Sequence, residues 1–99
     1  MNIDQLNYIC YAVGLESYAR AAERLHVTPQ AISKAVLEAE SFSGQAITER
    51  MGRGVRATAF GVGFASRAQK VVDAYEDLCA FAHPDEGGTM ASPEKGDCP

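Results

Sequence analysis

Residues 17–44 constrain the fold more than any other part of this 99-residue chain. The segment predicts a short helix, a tight turn and a longer helix. Ala21, Ala22 and Leu25 share one face of the first helix, and the two small alanines allow another helix to approach closely. Leu25 and Val27 bracket the turn, and we expect both to pack into the core beneath it. Two short helices joined in this way form a helix-turn-helix.

The second helix of this motif opens with a strong start signal. Thr28 can cap the free backbone amides, and Pro29 suits the first helical position, where an N–H would have no partner. Ile32 and Val36 lie four residues apart and are expected to face inward. The polar side chains that then point outward together, as in a helix that enters a major groove, are Gln30, Ser33 and Lys34.

A further helix is predicted before this motif. Asn2 and Gln5 have the spacing of a capping box, and Gly14 is expected to end or interrupt the helix. Its apolar residues recur at helical spacing: Ile3, Leu6, Ile9 or Cys10, and Val13. Three tyrosines are interpreted as packing residues: Tyr8, Tyr11 and Tyr18.

Residues 45–57 are predicted to form a wing. Gly44 can stop the preceding helix in a left-handed conformation, and Ile47 is expected to enter the core. Two glycines flank Arg53 at the expected hairpin tip, where glycine allows a positive φ. An exposed Arg53 would enter a minor groove, because narrow A·T-rich DNA has an enhanced negative potential there. Without the neighbouring helix-turn-helix, a solvated surface loop would be the better interpretation.

A long helix is predicted to begin at the cap residue Thr58 and to run to about Ala82. Its apolar residues follow a heptad spacing: Phe64, Ala68, Val71, Tyr75, Leu78 and Ala82. About 25 residues would span nearly 40 Å. This is longer than the small domain that precedes the helix, called the head below (residues 1–57), can cover. We therefore expect this helix to pair with the same helix of a second copy, the alternative being that it folds back on its own domain. Gly61 and Gly63 weaken its first turns and would permit close packing there.

Charge is unevenly distributed along the chain, whose formal net charge is −4. Residues 1–57 contain six basic and six acidic residues, whereas residues 58–99 contain three basic and seven acidic ones. Binding of nucleic acid by bulk charge is therefore not expected, and a few well-placed cations would have to suffice. Residues 83–99 hold three prolines, three glycines and almost no apolar residues, and are predicted to be disordered.

Nothing in the sequence indicates an enzyme. The two histidines, His26 and His83, are far apart, and no carboxylate pair, metal-ligand cluster or phosphate-binding glycine loop is present. His26 is interpreted as an exposed turn residue. We expect no cofactor and no metal. The N-terminus lacks the pattern of a signal peptide and no apolar run approaches membrane-spanning length, so a cytoplasmic location is expected.

Taken together, these motifs resemble the N-terminal DNA-binding domain of LysR-type transcriptional regulators, from about Met1 to about Leu78. The matching residues, in the same order and spacing, are Leu6, Tyr8, residues 17–28, residues 31–34, Gly44, Glu49, Arg50, residues 52–55, Thr58 and Gly61. The molybdate-responsive ModE regulators have a similar fold and are harder to exclude.

The resemblance implies an all-α dominated winged helix-turn-helix with a small β-hairpin wing and a long C-terminal dimerisation helix. The expected divisions are a DNA-binding domain at 1–57, a linker and dimerisation helix at 58–82 and a disordered tail at 83–99. The implied function is sequence-specific binding of double-stranded DNA by a homodimeric transcription regulator. The expected DNA contacts are Thr28, Gln30, Ser33, Lys34 and Arg53. The expected dimerisation residues are Phe64, Ala68, Val71, Tyr75 and Leu78.

The chain also departs from the family pattern. The second half of the recognition helix usually holds basic residues and two leucines, but here it holds Leu37, Glu38, Ala39 and Ser43. Phe42 is expected to fill the resulting gap in the core, and Glu38 would repel a phosphate. Family members continue into a larger effector-binding domain, so no small-molecule effector is expected in this chain. The alternative function is a non-DNA-binding interaction or dimerisation protein that pairs with full-length relatives.

Overall fold

The computed structural model of the chain describes residues 1–52 and 54–83. The elements are, in order, α1 (Ile3–Leu15), α2 (Tyr18–Leu25), α3 (Pro29–Ser43), β1 (Thr48–Met51), β2 (Gly54–Ala57) and α4 (Ala59–Ala82). The chain is therefore a mostly helical winged helix-turn-helix with a hairpin wing and a long last helix, which confirms the predicted fold class. The predictions of a disordered tail and of an exposed arginine at the wing tip fall on residues 84–99 and Arg53, outside the described residues.

Every described helix begins at a polar side chain that accepts a hydrogen bond from the backbone N–H three residues later. The four caps, with N···O distances of 2.9 to 3.1 Å, are Asn2, Ser17, Thr28 and Thr58. At the first cap the side chain of Gln5 accepts from the Asn2 N–H in return, which completes a capping box. The predicted caps at Asn2, Thr28 and Thr58 are thus confirmed.

The helix ends show where one local prediction is wrong. Helix α1 continues through Gly14 to Leu15, and Glu16 takes the left-handed conformation with φ 52°. The Glu16 carboxylate accepts a hydrogen bond from the Ala57 N–H at 3.1 Å, so a contact with the wing holds the helix end at this residue. Gly44 ends α3 with φ 75°, as expected.

One buried cluster joins α1, α2, α3 and the segment before β1. Its members are Ile9, Ala12, Ala21, Ala22, Ile32, Ala35, Val36, Ala39 and Ile47. The three tyrosines at positions 8, 11 and 18 pack against it, as predicted. The prediction that Phe42 fills a gap in this core is wrong, because its side chain is 77% exposed. The small residues Ala35 and Ala39 of α3 are buried in the core instead.

Helix α4 packs along α1 and buries Gly61, Ala65, Ala68 and Val72. The Cys10 thiol of α1 donates to the Ala65 carbonyl oxygen at 3.5 Å. The first half of the long helix is therefore part of the head. No helix in the described ranges combines the length and the apolar character needed to cross a membrane.

Candidate nucleic-acid interface

Helix α3 has a buried side and an exposed polar side. Ile32 and Val36 are buried, as predicted from their spacing. On the opposite side Gln30 and Lys34 are exposed, and Ser33 is half-buried. These side chains are available to a ligand, and the core contacts of α3 hold the helix beneath them in place.

The N-terminus of α3 leaves a backbone donor available. Thr28 is exposed, and its hydroxyl oxygen accepts from the Ala31 N–H at 3.1 Å. Pro29 has no N–H, and the N–H of Gln30 has no hydrogen-bond partner within the described residues. A free amide at a helix N-terminus favours an anion, because the partial positive charge of the helix end lies there.

The turn between α2 and α3 is built by backbone hydrogen bonds. His26 ends α2 in the left-handed conformation with φ 59°, and its N–H bonds to the Ala22 and Glu23 carbonyl oxygens. The Val27 N–H also bonds to the Ala22 oxygen, at 3.0 Å. The His26 side chain is exposed, as predicted, while Leu25 and Val27 pack against the core. This turn sets the position of α3 relative to α2.

The wing is an antiparallel hairpin in which Thr48 pairs with Ala57 and Met51 pairs with Gly54. Gly52 has φ 58°, a left-handed conformation that a tight hairpin turn requires and that glycine adopts at little cost. Arg50 and Arg56 on the strands are exposed. The described strands of the hairpin therefore present two exposed cations.

The start of the wing is tied to both helices of the motif. The Glu40 carboxylate of α3 accepts from the backbone N–H groups of Ile47, at 2.7 Å, and of Thr48, at 3.4 Å. The Thr48 hydroxyl lies 2.9 Å from the Tyr18 hydroxyl of α2, in a hydrogen bond that either group can donate. Sequence reasoning missed this role of Glu40, because no local pattern links it to backbone amides seven and eight residues later.

Hydrogen bonds join the residue that follows the wing to the two residues that precede it. The Thr58 hydroxyl donates to the Ala46 carbonyl oxygen at 2.7 Å, and the Thr58 N–H donates to the Ile47 oxygen at 3.0 Å. Together with the contact between Glu16 and Ala57, these bonds fix both ends of the hairpin. The position of the wing relative to α3 is therefore set by hydrogen bonds at its base.

The residues predicted to form a dimer seam differ in their surroundings. Phe64 packs against the core cluster and Ala68 is buried against the head, so both contact their own chain. Val71 and Leu78 are 49% and 59% exposed, and Tyr75 is half-buried. Exposed apolar side chains thus remain on α4 at Val71 and Leu78.

The described residues do not assemble a metal site, since no group of three or more His, Cys, Asp or Glu side chains comes together among them. Burial raises the pKa of the Cys10 thiol, and the nearby Asp73 carboxylate raises it further. A thiol with a raised pKa stays protonated at neutral pH and is a poor nucleophile. Cys10 is best understood as a packing residue between α1 and α4.

Comparison with a protein-family model tests the resemblance noted from the sequence. The model described as "Bacterial regulatory helix-turn-helix protein, lysR family" matches residues 3–62. The chain belongs to the LysR family. This LysR-family protein is 39% identical over 76 residues to the HTH-type transcriptional regulator PcaQ of Agrobacterium fabrum (strain C58 / ATCC 33970), a match that covers 70% of the chain and 24% of PcaQ.

Solved structures agree with this assignment. Full-length OxyR C199D from Pseudomonas aeruginosa is 33% identical, with a TM-score of 0.78 over 85% of this chain and 28% of that one. The CbnR DBD–DNA complex is 27% identical, with a TM-score of 0.76 over 86% of this chain and 98% of that one. The LysR-family chain spans between 24% and 54% of the length of the curated relatives it matches.

Proposed function

We propose that this LysR-family protein is a cytoplasmic transcription regulator that binds specific sites in double-stranded DNA as a homodimer. The observation that carries the proposal is the exposed polar row of α3, which lies opposite a fully buried face and next to an anchored wing. Such a helix can enter a major groove without rearrangement, because its core contacts are already made. The similar CbnR DBD structure is a complex with DNA, which supports DNA as the ligand of this chain as well.

Each proposed contact follows from the chemistry of its side chain. Gln30 can form paired hydrogen bonds with the edge of an adenine, and Lys34 can donate to the acceptors of a guanine or to a phosphate. Ser33 can donate to or accept from either kind of base. Thr28 and the free N–H of Gln30 would hold a phosphate at the start of α3. In this proposal Arg53 at the wing tip enters the adjacent minor groove.

The exposed apolar side chains of α4 support the proposed dimer. Val71, Tyr75 and Leu78 lie close to one face of this helix, and apolar side chains there would be covered by the same helix of a second copy. A two-fold dimer would present two α3 helices to two half-sites on the same DNA.

The test is fluorescence anisotropy with a labelled duplex from upstream of the protein's own gene, titrated at several salt concentrations against a scrambled competitor. We expect binding that weakens with salt and survives the competitor. Lys34→Glu should weaken binding by roughly 10- to 100-fold and make the salt dependence less steep, because a groove or phosphate contact becomes a repulsion.

The matched control is Lys70→Glu, which makes the same charge change at an exposed position on α4. This variant should retain most of the affinity. Equal losses in the two variants would mean that binding reflects bulk charge and not the proposed α3 surface. A folded wild-type protein that fails to bind at low salt would rule out the DNA-binding proposal.

A second candidate function is interaction with other proteins. In this case the chain would pair with full-length relatives and form dimers in which one DNA-binding domain is defective. It is favoured by the exposed apolar side chains of α4 and by the absence of any basic residue from positions 35–43 of α3. The double variant Lys34→Glu/Arg53→Ala separates the two candidates. Regulation in cells should be lost if the protein acts through DNA, and should be unchanged if it acts through pairing alone.

A further inference from the structure

Leu37 is a large apolar side chain on the exposed face of α3. It is 61% exposed and lies seven residues, or nearly two helical turns, after Gln30. At about 100° per residue, the directions of Leu37 and Gln30 around the helix differ by only about 20°. The buried Ile32 and Val36 lie on the other side. Leu37 therefore lies at the centre of the face that is proposed to enter the major groove.

The surroundings of Leu37 do not resemble a site for docking another protein. The other exposed residues along this row of the helix are polar, namely Gln30, Lys34 and Ser41. A single leucine among polar side chains does not form the contiguous apolar patch that protein interfaces use. The row is instead typical of a groove-reading helix, in which polar groups meet base edges and apolar groups meet methyl groups.

A phosphate is also a poor partner for this part of the helix. Positions 35–43 contain no basic residue, and the charged residues there are Glu38 and Glu40. The Glu40 carboxylate is occupied by the Ile47 and Thr48 N–H groups. In the major groove the apolar group on base edges is the 5-methyl group of thymine.

We propose that Leu37 is a specificity-determining residue that contacts the 5-methyl group of a thymine in the major groove. The inference rests on the proposed DNA-binding function and names a feature of its target. Along the axis of α3, Leu37 lies about 10.5 Å beyond Gln30. The target half-site should therefore combine an adenine read by Gln30 with a nearby thymine read by Leu37.

The experiment compares thymine with deoxyuridine, which has the same hydrogen-bonding edges but lacks the 5-methyl group. The full chain is first used to select its best duplex from a random pool. That duplex is then made with thymine and with every thymine replaced by deoxyuridine, and both are titrated by anisotropy. We expect wild type to bind the thymine duplex roughly 3- to 10-fold more tightly, the range set by one buried methyl contact or slightly more.

Leu37→Ala should bind both duplexes equally, at about the affinity of wild type for the uracil duplex. Phe42→Ala is the matched control, since Phe42 is an exposed apolar residue of the same helix that lies about 140° around the axis from Leu37. This control should keep the preference for thymine.

Four outcomes would overturn the inference. Equal binding of both duplexes by wild type would show that no methyl group is read, while leaving DNA binding itself intact. An undiminished thymine preference in Leu37→Ala would assign the effect to DNA flexibility or to another residue. A fall in molecular mass of Leu37→Ala without DNA would make Leu37 a protein contact. Failure of wild type to select any duplex would overturn the proposed function and this inference together.

Discussion

At the scale of single residues, Gly61 shows how closely α4 packs on the segment before the wing. A Cβ added there would clash with the Ile47 carbonyl oxygen and lie 2.9 Å from the Ile47 carbonyl carbon. This carbonyl already accepts hydrogen bonds from Thr58, so it cannot move freely. At Gly63 an added Cβ would meet only the end of the Arg67 side chain, at 3.5 Å. The expectation that both glycines permit close packing therefore holds for Gly61 alone.

We expect Gly61→Ala to lower the free energy of unfolding by about 1–3 kcal/mol, because the added methyl group overpacks a rigid contact. Gly63→Ala should raise it by up to about 1 kcal/mol, since alanine is the better helix former where space allows. Urea denaturation followed by circular dichroism measures both. Two variants of equal stability would contradict the close approach of α4 to Ile47.

At the scale of elements, the carboxylate of Glu40 holds the wing to α3. Glu40 accepts two backbone N–H groups at the start of β1, whereas the Glu38 carboxylate has no hydrogen-bond partner within the described residues. Backbone amides that lose a charged acceptor in a partly buried position are costly. The two glutamates of α3 are therefore expected to differ in their contribution to stability, although they lie only two residues apart.

Glu40→Ala should lower the free energy of unfolding by about 1.5–3 kcal/mol, the usual range for hydrogen bonds to a charged group. Glu38→Ala should change it by less than about 0.5 kcal/mol, as is usual for a surface substitution. Amide hydrogen exchange adds a local measurement, in which the Ile47 N–H should lose protection only in Glu40→Ala. Similar effects of both substitutions would show that the Glu40 carboxylate does not anchor the wing.

At the scale of the whole molecule, helix α4 has a buried side and an exposed apolar side. The buried residues are Gly61, Ala65, Ala68 and Val72, whereas Val71, Leu78 and Phe81 are exposed. The longest dimension of the molecule is 47 Å, against 24 and 17 Å along the other axes. Exposed apolar side chains on an extended helix favour pairing with a second copy.

Val71→Lys should shift the molecular mass measured by light scattering from dimer towards monomer, because a charge at a heptad position opposes burial. Ser66→Lys is the control, since this exposed residue lies about 140° around α4 from Val71. The molecular mass of the Ser66→Lys variant in light scattering should equal that of wild type. An unchanged mass for Val71→Lys would mean that the heptad positions do not form the dimer.

The sequence alone determined the features that depend on neighbours within one or two turns of chain. The caps at Asn2, Thr28 and Thr58, the left-handed end at Gly44 and the buried pair Ile32 and Val36 all follow from short-range spacing. The same local patterns carried the family resemblance and the outward row of α3.

Tertiary structure decided the features that depend on distances between residues far apart in the chain. The Glu16 carboxylate accepts a hydrogen bond from the N–H of Ala57, 41 residues later. The Glu40 carboxylate accepts from backbone N–H groups seven and eight residues later. Phe42 is exposed, and the small residues Ala35 and Ala39 of the same helix are buried in the core instead. Phe64 and Ala68 pack against their own head although their heptad spacing alone would place them at a dimer seam. Sequence spacing shows which residues share a face, but only the packed chain decides what that face contacts.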